Sequence, residues 1–373
     1  MRMRKPQNPF LLAGYISPEY FCDREKETEK LISALRNGRN VTLVSPRRMG
    51  KTGLINHAFY RMAKAGSTCY YVDLYQTDSL SSFVNVFANA VLGTLDTTET
   101  RIVKSVAGFF KSLRPTINID PLTGEPGFTV NVQPEMAEHS LVEIFSYMEQ
   151  SGKDCYVAFD EFQTIADYKE KNVEALLRSY VQRLTSVHFI FSGSRRHVLE
   201  NMFASASRPF YQSTQTMPLA EIPCASYFSF AKAKLSANKQ DIDAQTFGFL
   251  YDRLYGHTWY VQSILNRLYE AGEDISKDLV CKTLAEITKE NEATYQTFLR
   301  LITPGQGKLL KAIASEGSVA ELLNQSFIAK HHLGATSSVK SAAKVLVDKE
   351  LLLNEAGSYQ VCDRFFGLWL AYE

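Results

Sequence analysis

Asn40-Val-Thr-Leu-Val-Ser45-Pro-Arg-Arg-Met-Gly50-Lys-Thr52 is the stretch that decides how this chain folds. Asn40–Ser45 is short, β-branched and apolar on both faces, as a buried parallel strand is. A loop, Pro46–Gly50, follows. From Lys51 to Ala65, Leu54, Ile55, Ala58, Phe59 and Met62 recur at helical spacing. A strand that turns through a glycine into a helix N-terminus offers free backbone N–H groups to phosphate oxygens. The phosphate-loop pattern G-x-x-x-x-G-K-[ST] is met except at its first position, where Ser45 stands for Gly. On this reading Ser45, Pro46, Arg47, Arg48, Met49, Gly50, Lys51, Thr52 and Gly53 line the phosphates. Lys51 would reach the β- and γ-phosphates, and the Thr52 hydroxyl would hold Mg²⁺. The competing reading is an ordinary turn with a helix-capping Lys-Thr pair.

A second stretch favours the phosphate reading. Cys155–Phe159 is almost wholly apolar and ends in Asp160-Glu161. Two carboxylates at the carboxyl end of a buried strand form the Walker B layout, and ligands of open α/β sheets sit at that edge. Asp160 would contact Mg²⁺, and Glu161 would polarise the attacking water as general base.

Outward from these two stretches, strand and helix patterns alternate. Strands are expected at Cys69–Leu74, His188–Ser192 and Thr214–Leu219, and helices at Ser79–Leu95, 101–113, Glu135–Glu149 and Val173–Leu184. Repeated βα alternation predicts a parallel sheet covered on both faces. Thr116–Val132 breaks the pattern with two alternating runs around a Pro/Gly-rich centre and reads as an inserted hairpin on the sheet's margin. Beyond residue 220 the strand signals fade into helical spacing at Tyr227–Ala237, Asp243–Tyr255 and Val261–Gly272. From about Thr288 the order is three helices and a hairpin through Glu355–Gly357, which is winged-helix order. The expected domains are 1–220, 221–287 and 288–373.

Composition bounds the function. The chain has 373 residues, 45% hydrophobic and 22% charged, with a formal net charge of +1, a globular mixture without a global basic field. The six cysteines are scattered, without metal-knuckle spacing, and read as thiols of a reducing compartment. No run approaches a membrane span, so the expectation is a cytoplasmic protein with no membrane partner. Zinc, serine-hydrolase and redox constellations are not found.

With these motifs in place the sequence resembles a family. Ser45-Pro-Arg-Arg-Met-Gly-Lys-Thr52 and Phe159-Asp-Glu-Phe162 look like the archaeal-type P-loop ATPases of the AAA+ superfamily, grouped with the STAND ATPases near the origin-initiator clade. The resemblance implies an α/β P-loop AAA+ core, an α-helical lid and a C-terminal winged-helix domain. It implies ATP and Mg²⁺ as cofactors. It implies that Phe21 and Arg24, ahead of the loop, help cover the adenine, and that Ser192 or Ser194 in Phe191-Ser-Gly-Ser194 is a polar sensor touching the γ-phosphate or the water. One departure is Gly256-His257-Thr258, where family members often carry Gly-x-Pro; His257 would still approach the nucleotide unless it merely starts a helix. Arg208 sits where the family places an arginine finger, which would imply a homo-oligomer. Arg195 and Arg196 are second choices.

Lys340 and Lys344 share a face of the winged helix's third helix, with Lys330, His331 and His332 upstream. Residues 303–373 nevertheless hold seven Lys and Arg against seven Asp and Glu, so either DNA or a protein could be the partner. The reading that follows is an ATP-binding, Mg²⁺-dependent ATPase acting as a conformational switch coupled to its winged helix. The alternative is a DNA-associated regulator that binds ATP with negligible hydrolysis. A P-loop kinase ranks below both, since no acceptor pocket can be named.

Overall fold

The computed structural model describes residues 5–94, 109–113, 116–119, 126–355 and 357–372. The expected helix over 101–113 falls largely outside them, as do the turn residues 120–125 of the hairpin. By its internal contacts the chain divides into two units, Ala13–Ile222 and a second that joins the residues up to Leu12 with Pro223–Glu373. The segment before Ala13, expected with the first domain, therefore belongs with the C-terminal half.

The first unit is built on β1 (Val41–Val44), β2 (Thr68–Asp73), β3 (Thr116–Ile119), β4 (Pro126–Thr129), β5 (Cys155–Asp160), β6 (Val187–Ser192) and β7 (Gln215–Pro218). Five of these form one parallel sheet in the order β2-β5-β6-β1-β7. The strands expected from the sequence match it to within about a residue. β3 and β4 pair antiparallel, Ile117 opposite Phe128, in a separate two-stranded sheet. The insertion is more than a margin decoration. Its flanking residues Phe110, Leu113, Val130 and Val132 are buried in the main core, and the Val130 N–H donates to Asn89 Oδ1 at 3.0 Å.

Side-chain parity builds the two layers. Along β5, Cys155, Val157 and Phe159 enter one core cluster while Tyr156 and Ala158 enter the other. On β6, Phe189 and Phe191 face the first cluster and Ile190 the second. The second cluster packs α1 (Glu25–Arg36) and α2 (Lys51–Lys64) through Leu31, Leu35, Leu54, Ile55 and Ala58. The first packs α3 (Leu80–Leu92) and the helix Ala137–Gln150, its centre filled by Phe83, Phe87, Phe145, Phe159 and Phe189. Continuing the alternation, Asp160 and Ser192 at the strand ends fall on the α2 side. The fold therefore aims both polar groups at the P-loop helix.

In the second unit, helices Cys224–Ser236, Ala244–Arg253, Thr258–Ala271, Lys277–Glu290 and Glu292–Arg300 precede the winged-helix elements. Lys277–Glu290 runs straight through Thr288, where a domain boundary was expected. Pro304–Glu316 starts with a Thr303/Gln306 capping box and Pro at its first turn. Gln325–Lys330 and Thr336–Asp348 follow. β8 (Leu352–Glu355) and β9 (Ser358–Val361) make the wing, and Val319 forms an isolated antiparallel bridge to Tyr359. The closing helix Arg364–Tyr372 buries Phe365, Phe366, Trp369 and Leu370. The residues before Ala13 dock here too. Asn8 Nδ2 donates to Asn266 O (2.8 Å), Asn266 Nδ2 donates to Phe10 O (2.7 Å), and Phe10 is fully buried against Phe230 and Tyr269.

Candidate functional site: the P-loop and the paired carboxylates

β1 ends at the phosphate loop, and the loop has the backbone the chemistry needs. Arg48 and Gly50 both have positive φ, +61° and +95°, and Gly50 leads into α2. Met49 between them is buried and pins the loop to the core, while Arg47 and Arg48 are exposed. Lys51 is buried and folded into the loop's hollow. Its Nζ donates to Ser45 O (3.1 Å), Ser45 Oγ (3.3 Å) and Pro46 O (3.0 Å). Burial pulls its pKa down to about 8, against the raising influence of Asp160 and Glu161. The serine in place of the first glycine thus accepts from the lysine. Gly53 allows a close approach: a Cβ there would meet the Phe21 ring at 3.2 Å.

Asp160 collects four hydrogen bonds. Thr52 Oγ1 and Tyr71 OH each donate to Oδ2 at 2.7 Å, Ser192 Oγ donates to Oδ1, and the Glu161 N–H donates to Oδ1 at 3.0 Å. The parity argument accounts for three of these: Tyr71 pairs with Ala158, two positions before Asp160 and on its face. A hydroxyl and a carboxylate oxygen held together are the donor set a hard, partly hydrated Mg²⁺ takes from protein. Thr52 and Asp160 fit that ion.

Glu161 is different. It leaves the strand in the left-handed region, φ +54°, and turns its carboxylate toward the end of β6. Ser194 Oγ (2.8 Å), Ser194 N (3.2 Å) and Gln163 Nε2 (2.6 Å) all donate to its Oε2. The two serines expected as sensors are therefore divided between the two acids, Ser192 to Asp160 and Ser194 to Glu161.

The other expected residues take other places. Arg24 is buried behind the loop, donating to Met49 O (3.1 Å), Ala220 O (2.6 Å) and Glu27 Oε1 (3.1 Å); it braces the loop's carbonyl side. Phe21 stacks on His57 of α2, centroids 4.6 Å apart, and Tyr15 OH hydrogen-bonds His57 Nδ1 at 2.9 Å. Arg208 pairs with the half-buried Glu174, Arg195 with Asp167, and Arg196 with Glu200 (2.8 Å). His257, in the second unit, precedes the helix Thr258–Ala271 and packs edge-on against Tyr260 at 4.8 Å. Sequence reasoning missed Tyr71, Gln163, Gly193, Tyr15 and His57. Of these only Tyr71 carried a readable signal, its place two residues before the end of the strand beside the acids.

These motifs have known relatives. A family described as an ATPase domain predominantly from Archaea matches residues 21–208, just over half of the chain. The chain belongs to this family. A winged-helix domain family matches residues 293–372. No curated protein sequence matches significantly. Among solved structures, the Walker-type ATPase of Pyrococcus abyssi is similar at TM-score 0.68 and 18% identity, over 97% of this chain and 99% of that one. The ORC2 protein of Aeropyrum pernix in its ADPNP–ADP complexes is similar at TM-score 0.58 and 17% identity, over 98% and 97%. The ORC1 protein of the same organism in complex with DNA gives 0.50 and 12%, over 98% and 97%. At these identities the likeness is one of fold: a P-loop AAA+ core of the ATPase family with a C-terminal winged helix. No helix among the described residues is long and apolar enough to cross a membrane.

Proposed function

We propose that this member of the archaeal-type ATPase family hydrolyses ATP with Mg²⁺ and works as a nucleotide-driven switch coupled to its winged helix. The observation that supports it best is the convergence of Lys51, Thr52, Asp160 and Glu161 at the carboxyl ends of β1 and β5, with Thr52 and Asp160 in direct hydrogen bond. When ATP binds, Lys51 would exchange loop carbonyls for phosphate oxygens. Gly50 and the first turn of α2 would supply N–H donors. Thr52 and Asp160 would hold Mg²⁺, which would supply positive charge against the phosphates. Glu161 accepts the proton of a water as that water's oxygen bonds to the γ-phosphorus; the bond to the bridging oxygen breaks, leaving ADP and phosphate. Phe21 would support the adenine side while Arg24, expected there too, would instead hold the loop from behind; His257 would contribute from the lid, and Arg208 would release Glu174 to act across a homo-oligomer.

The test is steady-state ATP hydrolysis with Mg²⁺, with and without duplex DNA, using Glu161→Gln as the blank. Turnover that vanishes in the variant supports the ATPase, and stimulation by DNA assigns the winged helix its ligand. No turnover above the blank in either condition sinks the hydrolytic reading and favours the second one, a DNA-associated ATP binder. One observation supports a DNA role: Lys340 and Lys344 are exposed on Thr336–Asp348, whereas Lys330 and His331 are both held by Glu316.

A further inference from the structure

Gln163 lies two residues beyond the proposed base and is almost completely buried, 3% exposed. Its amide N–H donates to Glu161 Oε2 at 2.6 Å. The orientation is fixed chemically, because a carboxylate accepts and only the amide nitrogen can donate to it. The other end, Oε1, is buried without a hydrogen-bond partner and lies against Gly193, between the two serines at the end of β6. A Cβ built on Gly193 would collide with Oε1 and stand 2.9 Å from the amide carbon. The end of Gln163 that reaches Glu161 therefore occupies the space a side chain at position 193 would take. Ser194, on the other side of the same carboxylate, supplies two more donors to the same oxygen.

A carboxylate on a rotatable side chain is a poor general base until its rotation is stopped. Three donors on Oε2 stop it and leave Oε1 as the acceptor for a water's proton. An unpaired buried amide oxygen costs about 1–3 kcal/mol, and Glu161 has a backbone φ that side-chain-bearing residues seldom adopt. Both features fit a cluster held for positioning rather than for stability.

We infer that Gln163 is the positioning residue of the hydrolytic step, acting through Glu161 and given its place by the bare backbone of Gly193. The inference rests on Glu161 being the base, and the experiment separates the two. Gln163→Met keeps the length and removes the donor. Gly193→Ala leaves Gln163 in the chain and pushes its end away from Glu161. Steady-state kinetics and equilibrium nucleotide binding are measured for wild type, both single variants, the double variant and Glu161→Gln. The expected result is a fall in kcat of about 10- to 100-fold in each single variant, with KM and nucleotide affinity within about twofold. The double variant should fall no further than the worse single one, since both act on one hydrogen bond. An unchanged or raised kcat in Gln163→Met, additive losses in the double variant, or a loss confined to KM would overturn it. Wild-type turnover no greater than that of Glu161→Gln would instead overturn the assignment of Glu161, and the inference with it. Thermal unfolding separates a folding defect in Gly193→Ala from a kinetic one, and Gln163→Met then carries the test alone.

Discussion

The strand-edge site and the third helix of the winged helix treat charge in opposite ways. At the strand edge, Lys51, Asp160 and Ser192 are buried and every oxygen of Asp160 is claimed by a donor. On Thr336–Asp348, Lys340 and Lys344 stand in solvent, in a region with as many acids as bases. Buried, saturated polar groups are expensive and persist where geometry must be fixed before a ligand arrives. Solvated lysines cost nothing to keep and specify little. The contrast is what the proposed division of labour requires, with chemistry at the strand edge and adjustable affinity on the winged helix.

The sharpest way to break that contrast is Glu161→Gln. Turnover should fall by about 10²–10⁴-fold, the usual contribution of a positioned base, while nucleotide binding persists; a rate assay paired with equilibrium binding checks both. Asp160→Ala should cost stability as well as activity. It strands the hydroxyl of the fully buried Ser192 and removes the acceptor of the half-buried Tyr71, for about 2–4 kcal/mol in denaturant unfolding. A neutral result would mean the site is looser than its hydrogen bonds suggest.

The buried lysine gives a pH dependence. In the nucleotide-free site Lys51 titrates near pH 8, and phosphates favour its charged form. The free protein loses this proton above pH 8 while the complex keeps it, so ATP binding should take up a proton and weaken as pH rises from 8 to 9. The limiting slope is about tenfold per pH unit. Titration calorimetry in buffers of different ionisation heat reads the uptake directly, and equal heats in all buffers would refute it. The smallest effect belongs to the exposed region. If duplex DNA binds there, neutralising Lys340 or Lys344 should reduce the slope of log K against log salt by about 1 for each phosphate left without its lysine. An unchanged slope would point to a protein partner.

Much of the core was legible because strands buried on both faces read as short apolar runs. Runs at 40–45, 155–159 and 188–192 read as buried parallel strands, and the acids and serines follow from their ends. What stayed hidden depends on residues that meet from far apart in the chain. Nothing local says that Gln163 meets Gly193, that Arg24 braces the Met49 carbonyl, or that Ser192 and Ser194 serve different acids. α1 escaped notice because its apolar face is narrow, Leu31, Ile32 and Leu35 among charged residues. The passage between Lys277–Glu290 and Glu292–Arg300 at Asn291 was equally hidden, because one helix follows another there without a change of composition.

The docking of Asn8 and Phe10 against Asn266, Phe230 and Tyr269 has a consequence for how the molecule is made. The hydrogen bonds here join residues more than 250 positions apart, so the ribosome releases the peg long before its socket exists. The Ala13–Ile222 unit holds all of its own sheet and can fold as soon as it emerges. The C-terminal unit must wait for nearly the whole chain, with Phe10 exposed in the meantime. Chains halted after residue 222 should therefore carry a finished sheet and a loose, apolar leading end, the state in which newly made copies are most open to chaperones and to one another.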